Sequence, residues 1–151
     1  MKKIISIIFI LLFISVGVYS QIPKGFWQEE SSQIGKKRMA GYTFGDNHRF
    51  EYSISEYDGL SPIVALGGTY RINKNKIYYR VSYIKKRIGG KLCRDGQYTL
   101  NDSWAFVGNQ ITVVKLKHAI NESGKIYSMT KNYIDLSSDY KYYKTRLKSS
   151  L

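Results

Sequence analysis

From residue 22 onward, the apolar residues of this chain recur at every second position in short runs, and turn-forming residues separate those runs. A period of two puts alternate side chains on opposite faces of an extended strand, whereas a helix needs a period near 3.6. Phe50, Tyr52 and Ile54 share one face, and Arg49, Glu51, Ser53 and Ser55 share the other. Ile77, Tyr79, Val81 and Tyr83 repeat the pattern, with Lys76, Arg80, Ser82 and Lys86 opposite. No long helical period competes, so the expected class is all-β.

The turn signals predict how these strands connect. Asp46-Asn47 and Asn73-Lys74-Asn75 read as hairpin turns. Gly108-Asn109 reads as a tight two-residue hairpin between residues 104–107 and 111–116. Asn121-Glu122-Ser123-Gly124 reads as a further turn before a strand starting at Ile126. Residues 31–37 and 58–62 read as loops, and the glycine pairs Gly67-Gly68 and Gly89-Gly90 as strand-end or bulge glycines. Consecutive hairpins give an antiparallel up-and-down meander, here of eight to ten strands. A meander leaves two exposed edges unless it closes into a barrel, and an open sandwich is the competing arrangement. The inward candidates, which would line a ligand cavity in a closed barrel, are Phe50, Tyr52, Ile54, Tyr70, Ile72, Tyr79, Val81, Tyr83, Val114 and Leu116.

Short motifs occur in a suggestive order. Gly25-Phe26-Trp27 opens the first strand. Tyr42-Thr43-Phe44 follows, then a turn at Gly45-Asp46-Asn47 and then Phe50. Gly68-Thr69-Tyr70-Arg71-Ile72 leads into Lys76-Ile77. This order resembles the small lipocalin-like (calycin-type) domains exported by Bacteroidetes, over about half of the mature chain. The resemblance implies a compact calyx-type barrel in which a basic residue near the last strand packs on the Trp27 ring. Lys144 and Arg146 are the residues placed for that contact. Trp27 itself is expected to close the core rather than touch a ligand.

The first 20 residues read as a cleaved leader. Met1-Lys2-Lys3 is basic, residues 4–18 are almost unbroken apolar, and Val18 and Ser20 occupy the positions a signal peptidase checks. The apolar run is shorter than the about 20 residues of a membrane-spanning helix, and no second run follows. Cleavage after Ser20 would leave one domain, residues 21–151, with a periplasmic or extracellular address in a Gram-negative bacterium. Cys93 is the only cysteine, so such a domain would depend on its core rather than on disulfides.

Loss of Lys2 and Lys3 with the leader takes 24 basic residues to 22 against 11 acidic ones, a net charge of +11. Nine basic residues lie between Arg71 and Arg94, and no acid occurs between Asp58 and Asp95. Arg80, Lys85, Lys86 and Arg87 are therefore the candidates for an anion-binding face. Tyr78 would lie among them as a stacking ring.

Catalytic signatures are missing from the sequence. His48 and His118 have no second His, Cys or acid at metal-ligand spacing, so no metal site is expected. Glu29 and Glu30 are adjacent strand residues that point to opposite faces. No nucleophile elbow or phosphate-binding loop occurs, and no cofactor is expected. The expected function is non-catalytic: an exported binding protein holding a small hydrophobic or amphipathic ligand inside the barrel. The alternative is an interaction module whose basic face binds an acidic glycan, a lipid headgroup or a protein. Nucleic acid is not an expected partner of an exported domain.

Overall fold

A computed structural model describes residues 22–30, 38–94, 104–136 and 140–145. The proposed leader, the expected loop at 31–37 and Arg146 lie outside the described residues. Eleven strands are present among the described residues: β1 (Gly25–Glu29), β2 (Gly41–Phe44), β3 (Arg49–Ser53), β4 (Ile63–Asn73), β5 (Lys76–Ile88), β6 (Lys91–Arg94), β7 (Trp104–Val107), β8 (Gln110–Lys125), β9 (Ser128–Met129), β10 (Tyr133–Asp135) and β11 (Lys141–Thr145). Nine of them form one antiparallel sheet in the order β8-β5-β4-β3-β2-β1-β11-β10-β9, and β6 and β7 form a separate pair. The all-β, antiparallel expectation holds.

Local chemistry explains the connections. The β2–β3 turn is closed by Gly45 N–H donating to Arg49 O at 2.9 Å, with Asn47 and His48 at φ of 53° and 55°. Asn is among the few non-glycine residues that adopt this left-handed region readily. Lys74, at φ 56°, turns β4 into β5, and Asn73 pairs with Lys76 across that turn.

Two turn expectations are corrected. Gly108-Asn109 does not close a hairpin, because β7 pairs with β6 and β8 pairs with β5. The 13-residue β5 offers β8 a far longer ladder than the 4-residue β7 could. Residues 121–124 are not a turn either: they run straight through β8, with Asn121 opposite Arg80 and Gly124 opposite Ile77. Pairing along β5 satisfies their backbone groups and overrides their turn preference.

The core gathers under the middle of the sheet. Trp27, Phe44, Ile22, Ile77 and Ile134 are fully buried, and Phe50, Tyr70, Val81 and Tyr142 pack with them. Trp27 satisfies its indole N–H on Pro23 O at 2.9 Å. Lys144, paired with Trp27 in the β1–β11 register, holds its ammonium 5.6 Å over that ring. This is the contact that the lipocalin resemblance implied for Lys144.

A β-bulge in β5 decides which residues face outward. On one side of it, Ile72, Tyr70 and Gly68 pair with Ile77, Tyr79 and Val81. The register then shifts, leaving Ser82 between the paired residues, and continues as Gly67 with Tyr83, Leu66 with Ile84 and Ala65 with Lys85. An extra residue in a strand reverses the facing of everything beyond it. Tyr83 therefore leaves the face of Tyr79 and Val81, and Ile84 takes the inward place beside Leu66. Both glycines are required here. A side chain at Gly68 would overlap the backbone carbonyl of Arg80, and one at Gly67 would overlap the Tyr83 hydroxyl.

Candidate functional site

The expected cavity residues fall into three groups. Phe50, Tyr70 and Val81 are buried, and Tyr79 packs against them. Tyr42 sits among these residues, with its ring centroid 5.6 Å from Phe44, 4.8 Å from Tyr52, 5.6 Å from Tyr79 and 5.1 Å from Tyr142. Phe50 lies 4.8 Å from Tyr79 and Phe44 lies 5.0 Å from Tyr70. These are contact distances for aromatic rings, so rings fill the space at this level. Burial pushes the Tyr42 hydroxyl up to about 12 and raises Tyr79 and Tyr142 further above the ordinary tyrosine value. Ile72 and Leu116 pack on the rim of this cluster, and Val114 is exposed. Sequence patterning did not single out Tyr42 and Tyr142 as core residues, because β2 and β11 are too short to show a clear period.

The other two candidates lie elsewhere. Tyr83 is on the opposite face, where its hydroxyl donates to Glu51 Oε2 at 2.9 Å. Burial, the hydrogen bond to Glu51 and the Glu51 charge together push the phenol up to about 12, opposed by the Arg49 guanidinium. Ile54 follows the last residue of β3 and lines a surface cleft rather than the ring cluster.

That cleft has a volume of about 460 Å³ and lies between the outer face of β3–β5 and the β6–β7 pair. Ile54, Ile63, Val64 and Ala65 supply its apolar floor, and Phe106 and Ile111 its opposite wall. The hairpin is held at this distance by Phe106 N–H donating to Gly59 O at 3.3 Å, and by Ala105 crossing close over Gly59. Glycine at 59 lets the two backbones approach.

Two cations face the cleft, and they are held differently. Lys85 donates to Glu51 Oε1 at 2.8 Å, so its charge is neutralised. Arg87 Nη1 donates to the carbonyls of Asp58, Gly59 and Ser61 at 3.1, 3.2 and 2.8 Å. Carbonyls orient a guanidinium without cancelling its charge, and no carboxylate pairs with Arg87 among the described residues. Three carboxylates also line the cleft: Glu51 holds Lys85, Glu56 holds Arg38 at 3.8 Å and accepts its backbone N–H at 2.9 Å, and Asp58 accepts the Ser61 N–H at 3.0 Å. Nothing in the sequence marks this cleft, because its two walls are brought together by the bulge in β5 and by the swing of β7 onto β6.

The expected basic face is divided by the same bulge. Arg80, Lys85 and Arg87 look outward, whereas Lys86 lies on the face of Ile84. The four residues do not form one patch. Cys93 is half-buried on β6, His48 turns its ring edge to Tyr70 at 5.6 Å, and His118 is exposed on β8. Among the described residues, no group of three His, Cys, Asp or Glu side chains is placed to hold a metal ion. No helix among the described residues is long and apolar enough to cross a membrane. Comparison of the chain with protein-family models, curated proteins and solved structures returned no match.

Proposed function

We propose that this protein is a non-catalytic, exported binding protein that takes a small amphipathic anion in the cleft beneath the β6–β7 pair. The observation that carries this reading is the cleft of about 460 Å³, with its apolar floor and the charge of Arg87 at its edge. That volume falls within the range of small-molecule sites, about 300–1,000 Å³, which combine apolar walls with a few placed polar groups. An apolar tail would lie on Ile54, Ile63, Phe106 and Ile111, and an anionic head would meet Arg87.

The sheet is proposed to close into a small lipocalin-like barrel. The two ends of the strand order, β8 and β9, are consecutive in the chain and separated only by Ile126 and Tyr127. Ile126 N–H donates to Asn75 O at 2.7 Å, and Tyr127 N–H donates to Asp135 O at 2.9 Å. One stretch of chain thus extends the β8–β5 ladder on one side and the β9–β10 ladder on the other. In this reading the barrel is a packed scaffold that presents ligand sites on its outside.

One observation favours a ligand in the interior instead: the Tyr79 hydroxyl is buried and makes no hydrogen bond of ordinary geometry, although the Tyr42 hydroxyl is close to it. A buried polar group of this kind commonly meets a water or a ligand. Calorimetric titration with dodecanoate, and with dodecyltrimethylammonium as a cation of equal tail length, separates the readings. The cleft predicts that dodecanoate alone binds and that Ile111→Asp and Phe106→Ala each weaken it by about tenfold. Binding that ignores both changes and is weakened by Tyr79→Phe would place the ligand inside.

A further inference from the structure

We infer that the solvent face of β3, β4 and β5 carries a second site, an arginine groove that binds the carboxylates of an acidic polysaccharide. Arg49, Thr69 and Arg80 lie side by side on the three strands, in the pairs Arg49 with Thr69 and Thr69 with Arg80. The next row on the same face pairs Arg71 with Tyr78. A groove of about 260 Å³ lies here, lined by residues 69–71 and 78–80 with Asn121 and Glu122, and Arg49 flanks it beside Thr69.

Three features fit this groove to a polyanion. The first is uncompensated charge: Arg49, Arg71 and Arg80 are exposed, and none pairs with a carboxylate among the described residues. Lys24, Arg38 and Lys85, by contrast, hold Asp46, Glu56 and Glu51. The second is preorganisation. The Arg71 guanidinium stacks over the Tyr78 ring at 4.6 Å, which fixes its plane and leaves its N–H edge to meet a planar carboxylate. The third is spacing. Strands about 4.8 Å apart, with same-face residues about 6.8 Å apart along each, spread the three cations over roughly 10 Å. A single small anion meets one of them, whereas a chain of repeating carboxylates meets several.

The neutral groups point to sugar rather than to a membrane surface. Thr69 and Asn121 offer hydrogen bonds to hydroxyl groups, and no aliphatic side chain lines the groove to insert among lipid tails. Glu122 pairs with Tyr79, so it lies on the face away from the arginines and cancels none of their charge by direct contact.

The test uses the mature chain, polygalacturonate as the polymer, neutral dextran as the control and phosphatidylglycerol vesicles as the lipid alternative. Arg49→Ala, Arg71→Ala and Arg80→Ala are each expected to weaken polygalacturonate binding by about tenfold, and the triple variant by at least about a hundredfold. A second triple variant, Lys91→Ala with Lys117→Ala and Lys131→Ala, removes the same charge from exposed positions elsewhere and should lose less than about threefold. Dodecanoate binding should be unchanged in the arginine triple, so failure of the groove and failure of the cleft are distinguishable. Equal losses in the two triple variants would reduce the effect to net charge and overturn the proposal. Absence of polygalacturonate binding, or arginine-dependent binding to the vesicles alone, would overturn it as well.

Discussion

Residues 76–81 of β5 send Ile77, Tyr79 and Val81 into the core, whereas residues 83–88 of the same strand turn Tyr83, Lys85 and Arg87 outward. The first half is held by burial of apolar and aromatic surface. The second is held by partly exposed polar pairs: Tyr83 and Lys85 with Glu51, and Arg87 with the 58–61 loop. One unpaired residue, Ser82, separates the two regimes. A bulge thus lets a single strand serve a buried core at one end and an open cleft at the other.

The bulge itself should give one of the two largest effects. Gly68→Ala would drive a methyl group into the Arg80 carbonyl, and the expected cost is about 3 kcal/mol, read from urea unfolding. Gly108→Ala, where a methyl group would meet open space, should cost only about 1 kcal/mol from its positive φ. Next, Ile77→Ala in the core half should cost about 2–5 kcal/mol. Ile84→Ala, half-buried in the outer half, should fall below that range, and equal losses would break the distinction between the halves.

Smaller changes sharpen the polar half. Glu51→Ala leaves both the Lys85 ammonium and the Tyr83 hydroxyl without their acceptor, and should cost about 1–2 kcal/mol. Lys85→Ala leaves Glu51 with Tyr83 and should cost about 0–1 kcal/mol. The smallest signal is at high pH. Tyr42 and Tyr83, each raised to about 12 in the folded protein, favour the native state while protonated. Their contribution is complete below pH 10 and is lost as pH climbs from 10 through 12, because the unfolded tyrosines ionise first. Tyrosinate absorbance should show a late-titrating class that shrinks in Tyr83→Phe. Titration of all tyrosines together near pH 10 would contradict the burial of both.

The strand alternation at Phe50, Tyr52, Ile77, Tyr79 and Val81 was legible because each strand there is unbroken and half-buried. Tyr83 and Lys86 were misassigned to faces because a bulge leaves no mark in a period of two; only Gly67-Gly68 on the neighbouring strand hinted at it. Gly108-Asn109 and Asn121-Glu122-Ser123-Gly124 carry turn chemistry that ladder pairing with β5 overrode. The cleft was not legible at all, since it depends on β7 choosing β6 over β8. Basic residues counted along the chain pointed to Lys85, Lys86 and Arg87. Among the described residues Arg49, Arg71 and Arg80 have no carboxylate partner, and only cross-strand register brings these three together.

Backbone amide NMR during a dodecanoate titration tests most directly whether the proposed ligand site is the cleft rather than the aromatic interior. Shift changes are expected at residues 54–65, 85–87 and 105–111, around Ile54, Ile63, Arg87, Phe106 and Ile111, with Tyr42, Phe50, Tyr70 and Tyr79 unmoved. Changes centred on those four aromatic residues, with the cleft silent, would contradict the proposed outer site and put the ligand among the core rings.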